Sequence, residues 1–372
     1  MALRIAIDAS RATKRQPTGT EYYALRLIQA LIRANDLRAE PFQLSLYFRD
    51  KPPADLFVKS PHINEIVIPF PRLWTHLRWA EALWRARPDI TFSPAHTLPF
   101  FFPGQAVVPI HDRGSKLFPQ AHIDAGQHAY LDLTTRYSAA RAALVLADSQ
   151  ATANDLSHFY STSAAKIRAV YPGVEGDSYS SAKSDTEAVR AKYQLPARYF
   201  AFVGTLQPRK NIKRLILAFR RWQAAHADSD TALVLAGAKG WLFDDSWLAG
   251  ADKVRVTGYI DEADKRGLLA GAIALVFPSL YEGFGFPVLE AMHCGAPVIA
   301  SNSSSLPELV GDAGLQVDPE CVADIAAAMS RCSDDEALRQ SLIERGRLRA
   351  KRFTWDKTAE KVMYVFDELA QR

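Results

Sequence analysis

The sequence predicts an α/β protein of two domains, each built on a doubly wound parallel sheet. Its 372 residues exceed what one hydrophobic core ordinarily organises. Short apolar runs alternate with segments of helical periodicity, which is typical of parallel sheets with right-handed crossovers. A segment rich in Gly, Ser and Asp, 173–188, lacks apolar periodicity and divides the runs into two series. We expect the two domains to face one another across a cleft.

Thirteen segments are predicted to be strands, many of them continuous apolar runs of the kind covered on both faces. The first series is 3–8, 43–48, 64–68, 89–93, 106–110, 143–147 and 167–171. The second series is 199–204, 231–237, 253–258, 272–277, 296–301 and 314–318. The predicted domains are 1–175 and 191–354, joined by a linker over 176–190 and followed by a helix, 355–372, that can pack back on the N-terminal domain.

The composition is that of an ordered globular protein without a nucleic-acid-binding surface. Apolar residues make up 48% of the chain and charged residues 23%. The net charge of +4 suits anionic ligands but is far too small to indicate nucleic-acid binding. Three cysteines without a CxxC pair argue against a disulfide framework and fit a reducing compartment, so we expect buried apolar thiols.

The sequence contains no segment predicted to cross a membrane. Its first residues, MALRIAIDAS, predict a strand rather than a signal peptide. The most apolar window, 98–110, carries three prolines, which would disrupt a spanning helix. We therefore expect a cytoplasmic protein that can bind peripherally at the inner membrane face.

Two glutamates flank a glycine-rich turn in the stretch PSLYEGFGFPVLEAMHCGAP, 278–297. Glu282 follows a buried strand, and ligands of open α/β sheets bind beyond the carboxyl ends of strands. Gly283 and Gly285 allow the backbone to approach a ligand closely. Pro287 suits the first turn of a helix and Gly295 suits its end, so a helix is predicted over 287–294. The amides at its start favour an anion such as phosphate.

Glu290 is predicted to lie in the first turn of that helix, where the helix dipole stabilises a carboxylate. Each glutamate alone has an ordinary structural explanation. The combination of strand, glutamate, Gly-x-Gly, proline-started helix and second glutamate is harder to explain by stability alone.

A second group of candidate residues lies in FVGTLQPRKN, 202–211. A strand ends at Gly204, and Arg209 and Lys210 precede the next helix. Two cations at a strand-to-helix junction can neutralise a diphosphate, Arg as a fork and Lys as a point charge. A solvated basic turn is the alternative when the pair is taken by itself.

The N-terminal half offers further candidates. His111 and Asp112 follow a buried strand, where the histidine can contact a substrate or transfer a proton, or be tied into a turn by its acidic neighbour. A flexible loop containing Gly19, residues 15–23, follows the first strand. Ser305 and Glu308 stand at capping-box spacing and are interpreted as structural.

The motifs together resemble those of the retaining family-4 glycosyltransferases, which have the GT-B fold. EGFGFPVLE is similar to the E-x7-E motif of that family. The resemblance continues through PIHD, VYPGVE, VGTLQPRKN, the segment 257–292, PVIASNSSSLPELVGDAG and FTWDKTAEKV, and so covers nearly the whole chain. One departure is Thr205, which stands where many members carry an arginine.

The resemblance implies a nucleotide-sugar donor bound mainly by the C-terminal domain and a saccharide or lipid-linked saccharide acceptor bound mainly by the N-terminal domain. The implied catalytic residues are Glu282, His111, Arg209 and Lys210. The implied donor-binding residues are Gly19, Gly204, Arg209, Lys210, Gly258, Tyr259, Ile260, Glu282, Gly283, Phe284, Gly285, Phe286 and Glu290. No metal and no cofactor are expected. Because of Thr205, Arg209 and Lys210 would carry the whole diphosphate charge.

The resemblance also implies what each group does. Arg209 and Lys210 would grip the diphosphate, Glu282 would bind sugar hydroxyls, and Glu290 would accept hydrogen bonds from the ribose. Transfer would retain the anomeric configuration, by a front-face route more readily than with Glu282 as nucleophile. The favoured donor is GDP-mannose and the favoured product a surface polysaccharide, with UDP-linked glucose or N-acetylglucosamine as the second choice.

Three other interpretations stay open at this point. A nucleotide-sugar epimerase would share the fold but would not need the paired glutamates. A non-catalytic sugar-nucleotide or glycan-binding protein would not need Glu282, Lys210 and His111. An oxidoreductase is disfavoured, because GFGFPV lacks the third glycine of G-x-G-x-x-G.

The segment 72–89 places three tryptophans among four arginines. This pattern suits an interfacial helix that contacts a membrane carrying a lipid-linked acceptor. The more common explanation is a helix that packs its aromatic residues on the N-terminal sheet.

Overall fold

The computed structural model describes residues 2–14, 19–112, 125–176, 185–240 and 242–372. Its internal contacts divide the chain into two compact units. Among the described residues, the first unit consists of 2–112, 126–173 and 354–372, and the second of 125 and 174–353. Each unit contains one sheet.

The first unit is a seven-stranded sheet of order β3-β2-β1-β4-β5-β6-β7, with every strand pair parallel. Its strands are β1 (Arg4–Asp8), β2 (Gln43–Phe48), β3 (Ile63–Val67), β4 (Ile90–Phe92), β5 (Gln105–Ile110), β6 (Leu144–Ala147) and β7 (Ile167–Ala169). Its α-helices in the described residues are α1 (Gly19–Asp36), α2 (Ala80–Ala86), α3 (Ala125–Arg141), α4 (Gln150–Tyr160) and, at the end of the chain, α12 (Trp355–Ala370).

The second unit is a six-stranded parallel sheet of order β10-β9-β8-β11-β12-β13. Its strands are β8 (Tyr199–Val203), β9 (Ala232–Ala236), β10 (Val254–Gly258), β11 (Leu275–Phe277), β12 (Val298–Ser301) and β13 (Leu315–Val317). Its α-helices are α5 (Thr186–Tyr193), α6 (Ile212–Ala225), α7 (Glu262–Ala270), α8 (Phe286–Cys294), α9 (Leu306–Val310), α10 (Val322–Asp334) and α11 (Glu336–Ala350).

All thirteen predicted strands are present, and for many of them a continuous apolar run is the reason. β8, β9 and β11 are buried at every position, as strands covered by helices on both faces must be. The predicted helix at 287–294 is confirmed and begins one residue earlier, at Phe286. Gly295 ends it in the left-handed conformation with φ of 76°.

The second unit begins with a helix that the sequence analysis had assigned in part to the linker. Residues 177–184 lie outside the described residues, but the predicted linker, 176–190, overlaps α5, which begins at Thr186.

The C-terminal helix α12 starts after Thr354, whose hydroxyl accepts from the amide of Lys357 at 3.3 Å. It packs against α1 of the first unit. Its Phe366 meets Phe42, just before β2, and Phe92 of β4 edge to face.

The tryptophan-rich segment is mainly a packing element. Trp74 and Trp79 are buried and stacked on one another, with ring centroids 5.9 Å apart, within the core of the first unit. Trp84 is the exception, with half of its surface exposed. The packing explanation therefore holds for two of the three tryptophans.

Two further expectations concern membrane spans and cysteines. In the part of the chain that the structure describes, no helix is both long and apolar enough to span a bilayer. Cys294 and Cys332 are buried, and burial raises the pKa of the Cys332 thiol to about 12. Cys321 is exposed just before α10, so the expectation of burial is wrong for that residue.

Candidate active site

Arg209, Lys210 and Glu282 come together in the second unit. The Lys210 Nζ lies 2.6 Å from Glu282 Oε1, and an Arg209 guanidinium nitrogen lies 3.3 Å from Glu282 Oε2. The same arginine nitrogen donates to the carbonyl of Tyr281 at 2.8 Å. All three charged side chains are largely buried, at 16%, 12% and 8% exposure. Two cations therefore face one carboxylate.

The sheet explains why these residues meet. Arg209 and Lys210 form a short 3-10 turn after β8, and Glu282 follows β11. β8 and β11 are neighbours at the point where the strand order reverses, and ligands of open α/β sheets bind beyond the strand ends at such a point. Asn211 joins the two segments, because its side-chain amide donates to the carbonyl of Pro278 at 3.0 Å.

The turn around Glu282 is held by two serines of a following loop. The amide of Glu282 donates to the Ser304 hydroxyl at 3.0 Å. The buried Ser305 hydroxyl contacts the carbonyls of Glu282 at 3.0 Å and Phe284 at 2.5 Å. The predicted capping box of Ser305 and Glu308 is wrong, since Ser305 makes no side-chain cap of α9. Its hydroxyl fixes the candidate site instead.

The glycine of this turn is required by geometry. Gly285 has φ of 125°, and a Cβ there would lie 2.8 Å from the Leu306 side chain. Gly283, Phe284 and Phe286 flank it, with the Phe284 and Phe286 rings edge to face at 5.2 Å. The predicted donor-binding role of these main-chain groups stays a prediction.

The electrostatics of Glu282 follow from burial and its two partners. Burial by itself would raise the pKa of the carboxyl. The charges of Lys210 and then Arg209 outweigh burial, so the pKa of Glu282 is lowered. Glu282 is therefore an ionised hydrogen-bond acceptor at neutral pH.

Glu290 lies in the interior of α8 and pairs with Lys265 of α7. The helix begins at Phe286, so Glu290 lies beyond the first turn, and the prediction of a dipole-stabilised first-turn charge is wrong. The Lys265 Nζ lies 2.8 Å from Glu290 Oε1 and 2.8 Å from an oxygen of the exposed Glu262. Glu290 Oε2 is buried and has no hydrogen-bond partner among the described residues.

Lys265 is a site residue that sequence reasoning missed. Burial would lower the pKa of Lys265, but Glu290 and Glu262 raise it. Burial raises the pKa of Glu290, and Lys265 opposes that effect. The only signal in the sequence was a lysine in the helix that follows β10, and such lysines are usually solvated.

The remaining candidates of the second unit lie at strand ends of the same sheet. Gly204 directly follows β8 with φ of 140°, and its carbonyl lies so close to Gly237 that a Cβ on Gly237 would be 2.0 Å away. Gly258 ends β10 with φ of 74°, and a Cβ there would meet open space within the described part of the chain. Tyr259 is exposed and Ile260 is partly buried just beyond it.

His111 lies in the first unit, at the end of β5, with both ring nitrogens engaged. Nδ1 lies 2.8 Å from Asp148 Oδ2, and Nε2 lies 3.0 Å from the Pro94 carbonyl. Because both partners are acceptors, both nitrogens act as donors in the protonated ring. Burial would lower the pKa of His111, but Asp148 and the Pro94 carbonyl raise it. The ring thus joins the ends of β4, β5 and β6. The structural alternative for His111 was a histidine tied into a turn by Asp112, and the carboxylate that it contacts is instead that of Asp148.

The other first-unit candidate, Gly19, is the first residue of α1 rather than part of a flexible loop. It is exposed, and a side chain added there would contact none of the described residues through its Cβ. The rest of the predicted loop before it, 15–18, lies outside the described residues.

Sequence reasoning also missed His96, whose ring centroid is 6.2 Å from that of His111. Burial lowers the pKa of His96 to about 4, so it is neutral.

Comparison with known proteins assigns the chain to a family. Residues 185–349 match the family described as glycosyl transferases group 1. The O-antigen chain mannosyltransferase B of Escherichia coli is 32% identical over 268 residues, which cover 70% of each chain. The chain therefore belongs to the group 1 glycosyltransferases.

A further relative agrees with this assignment, and two solved structures share the fold. A serotype-specific mannosyltransferase WbdA of Escherichia coli is 29% identical over 62% of this chain, although the match covers only 29% of that protein. The sucrose-phosphate synthase of Thermosynechococcus elongatus has a TM-score of 0.73 at 22% identity, with 99% of both chains covered. WaaG, a glycosyltransferase involved in lipopolysaccharide biosynthesis, has a TM-score of 0.67 at 18% identity, with 96% of this chain and 98% of its own covered. The fold is the GT-B fold of these enzymes.

Proposed function

We propose that this enzyme is a retaining hexosyltransferase that moves mannose from GDP-mannose to a glycan or lipid-linked glycan of a surface polysaccharide. The observation that carries the proposal is the similarity to an O-antigen chain mannosyltransferase over 70% of both chains. The arrangement of Arg209, Lys210 and Glu282 supports it, because a nucleotide sugar needs a cationic diphosphate site beside a sugar-binding carboxylate.

Arg209 and Lys210 stabilise the leaving group in this proposal. As the glycosidic bond breaks, negative charge grows on the β-phosphate. Two buried cations already fixed in place act on that charge in a site from which much water is excluded. Lys210 is further fixed over the Phe277 ring, with 5.0 Å from Nζ to the centroid.

Glu282 orients the donor sugar in this proposal. Its lowered pKa keeps it ionised, so it accepts hydrogen bonds from sugar hydroxyls rather than donating a proton. Both oxygens are already paired with cations, which lowers their nucleophilicity. We therefore favour the front-face route, in which a donor phosphate oxygen takes the proton of the acceptor hydroxyl.

Glu290 binds the ribose in this proposal, since its Oε2 is a buried acceptor that no described residue satisfies. Such an atom is costly to leave unsatisfied, and a ribose hydroxyl would satisfy it. The first unit would bind the acceptor. His111, with both nitrogens donating, would serve there as a fixed cation rather than as a proton acceptor.

The proposal is tested by transfer to a mannose-terminated oligosaccharide. Purified enzyme is incubated with GDP-mannose, UDP-glucose or UDP-N-acetylglucosamine, with and without EDTA, and the product is analysed by mass spectrometry and proton NMR. We expect an α-linked mannose from GDP-mannose alone, undiminished by EDTA. A β-linked product would contradict retention. Hydrolysis or isomerisation of the donor without transfer would favour the binding-protein or epimerase alternatives.

A further inference from the structure

A cationic pocket in the first unit contains none of the candidate active-site residues described above. It encloses about 240 Å³. Ser10, Arg11 and Lys14 line it from the segment after β1, and Arg49 and Asp50 from the segment after β2. The segment after β3 contributes Trp74, Thr75 and His76, and Tyr130 comes from α3.

The position of the pocket is that of a ligand site. β1, β2 and β3 are adjacent parallel strands, so the segments after them meet at the carboxyl edge of the sheet. Ligands of open α/β sheets bind at this edge. The pocket is thus placed by the topology rather than by a chance grouping of surface residues.

Among the residues that the structure describes, the positive charge of the pocket is only partly compensated by carboxylates. Arg11 faces Glu21 at 3.6 Å and Arg49 faces Asp50 at 3.8 Å, both longer than a hydrogen bond. No ion pair of Lys14 is found within the described residues. Three cations thus line the pocket against one carboxylate in its wall, with a second carboxylate beside Arg11.

A neutral histidine in the pocket is a second, independent indication of a ligand site. His76 stacks on Phe100 with centroids 4.2 Å apart, and its Nε2 lies 2.9 Å from the Tyr130 hydroxyl. Burial lowers the pKa of His76. Its Nδ1 is buried and finds no hydrogen-bond partner in the described parts of the chain, which is costly unless a ligand or water meets it.

We propose that this pocket binds a phosphate group carried by the acceptor. Three cations from the segments after β1 and β2 suit a group with several charged oxygens, whereas a carboxylate needs only one fork. The identification of the phosphate as the acceptor's rests on the proposed function; binding of phosphate itself does not. The phosphate can belong to a phosphorylated saccharide or to a lipid headgroup, and both present the same chemistry.

The test is calorimetric titration with inorganic phosphate of four forms of the full chain. They are the wild type, a pocket variant (Arg11→Met, Lys14→Met, Arg49→Met), a donor-site variant (Arg209→Ala, Lys210→Ala) and a charge-matched control (Lys59→Met, Arg87→Met, Arg352→Met). We expect the pocket variant to lose one class of phosphate sites, with at least a tenfold weaker affinity. The donor-site variant and the control should keep that class.

Two outcomes separate the pocket from the proposed function. Phosphate binding by the pocket variant identical to that of the wild type overturns the pocket and leaves the donor site untouched. Binding by the donor-site variant identical to that of the wild type contradicts the diphosphate role of Arg209 and Lys210 and leaves the pocket standing.

Two more probes identify the source of the phosphate. Mannose 1-phosphate is titrated in the presence of saturating GDP, and sedimentation is measured with phosphatidylglycerol vesicles against phosphatidylcholine vesicles. If the pocket variant loses binding of mannose 1-phosphate, the bound phosphate belongs to a saccharide. If it loses binding to the vesicles, the bound phosphate belongs to a lipid headgroup. If the pocket variant matches the control with both probes, the proposal is wrong.

Discussion

The ammonium group of Lys210 lies 2.6 Å from a carboxylate oxygen of Glu282, and both side chains are largely buried. The contact joins a residue after β8 to a residue after β11 at the reversal of the strand order. A cation held in this way is positioned before any ligand arrives, which favours electrostatic stabilisation of a leaving diphosphate.

Lys210→Met should weaken binding of GDP and of the sugar nucleotide together, because both contain the diphosphate. A charge-assisted contact contributes about 1.5–3 kcal/mol, so the loss should be roughly ten- to a hundredfold. Isothermal calorimetry measures it, with Lys213→Met on the exposed side of α6 as control. Unchanged GDP affinity in Lys210→Met would remove this residue from the diphosphate site.

Glu282→Gln and Glu290→Gln should have different kinetic effects. Glu282→Gln should lower kcat while nucleotide binding stays within about threefold, since its contacts are to the transferred sugar. Glu290→Gln should mainly raise the dissociation constant of GDP, by roughly tenfold for a lost charged acceptor. Nucleotide titration and turnover are measured on both variants. If both variants lose nucleotide affinity and turnover to the same extent, the two glutamates do not have the separate roles proposed here.

Lys265→Met should weaken GDP binding through Glu290. Without its partner the buried Glu290 takes up a proton and accepts hydrogen bonds poorly. We expect about a tenfold loss for GDP and little change for 2′,3′-dideoxy-GDP, which lacks the ribose hydroxyls. Lys265→Arg should recover part of the affinity, and Lys192→Met, which removes an exposed partner of α7, should have no effect. Equal losses for the two nucleotides would reduce Lys265 to a structural role.

The contrast between these residues shows what the sequence could and could not predict. The strands were predictable because runs such as 199–203 are apolar throughout, and only a doubly covered strand buries them fully. Arg209, Lys210 and Glu282 were predictable because parallel topology places the segments after neighbouring strands at one edge. The Lys265–Glu290 pair depends on how α7 packs against α8, and no local pattern records that packing. Ser305 was misread because a capping box is a local pattern, whereas its hydroxyl acts on a turn more than 20 residues away.

The His111–Asp148 pair should make stability depend on pH. The pKa of His111 is raised in the folded state, so its protonation stabilises the fold fully below about pH 6.5, the ordinary histidine value. That contribution is lost as the pH rises through the folded-state pKa. The free energy of unfolding of the wild type minus that of His111→Asn should therefore shrink from pH 6 to pH 8, as urea titrations can measure. In an Asp148→Asn background the difference should change little with pH; a difference that grows with pH would contradict a protonated ring.

The most direct test of the central claim is a thermal-shift screen of the wild-type chain with GDP, UDP, ADP and their common sugar conjugates. A ligand at about 100 times its dissociation constant stabilises the folded state by about 2.7 kcal/mol, which a melting curve detects readily. We predict that GDP and GDP-mannose raise the melting temperature and that the other nucleotides do so less. Stabilisation by UDP without GDP would contradict mannose as the donor sugar, and stabilisation by no nucleotide would contradict a nucleotide-sugar site at Arg209, Lys210 and Glu290.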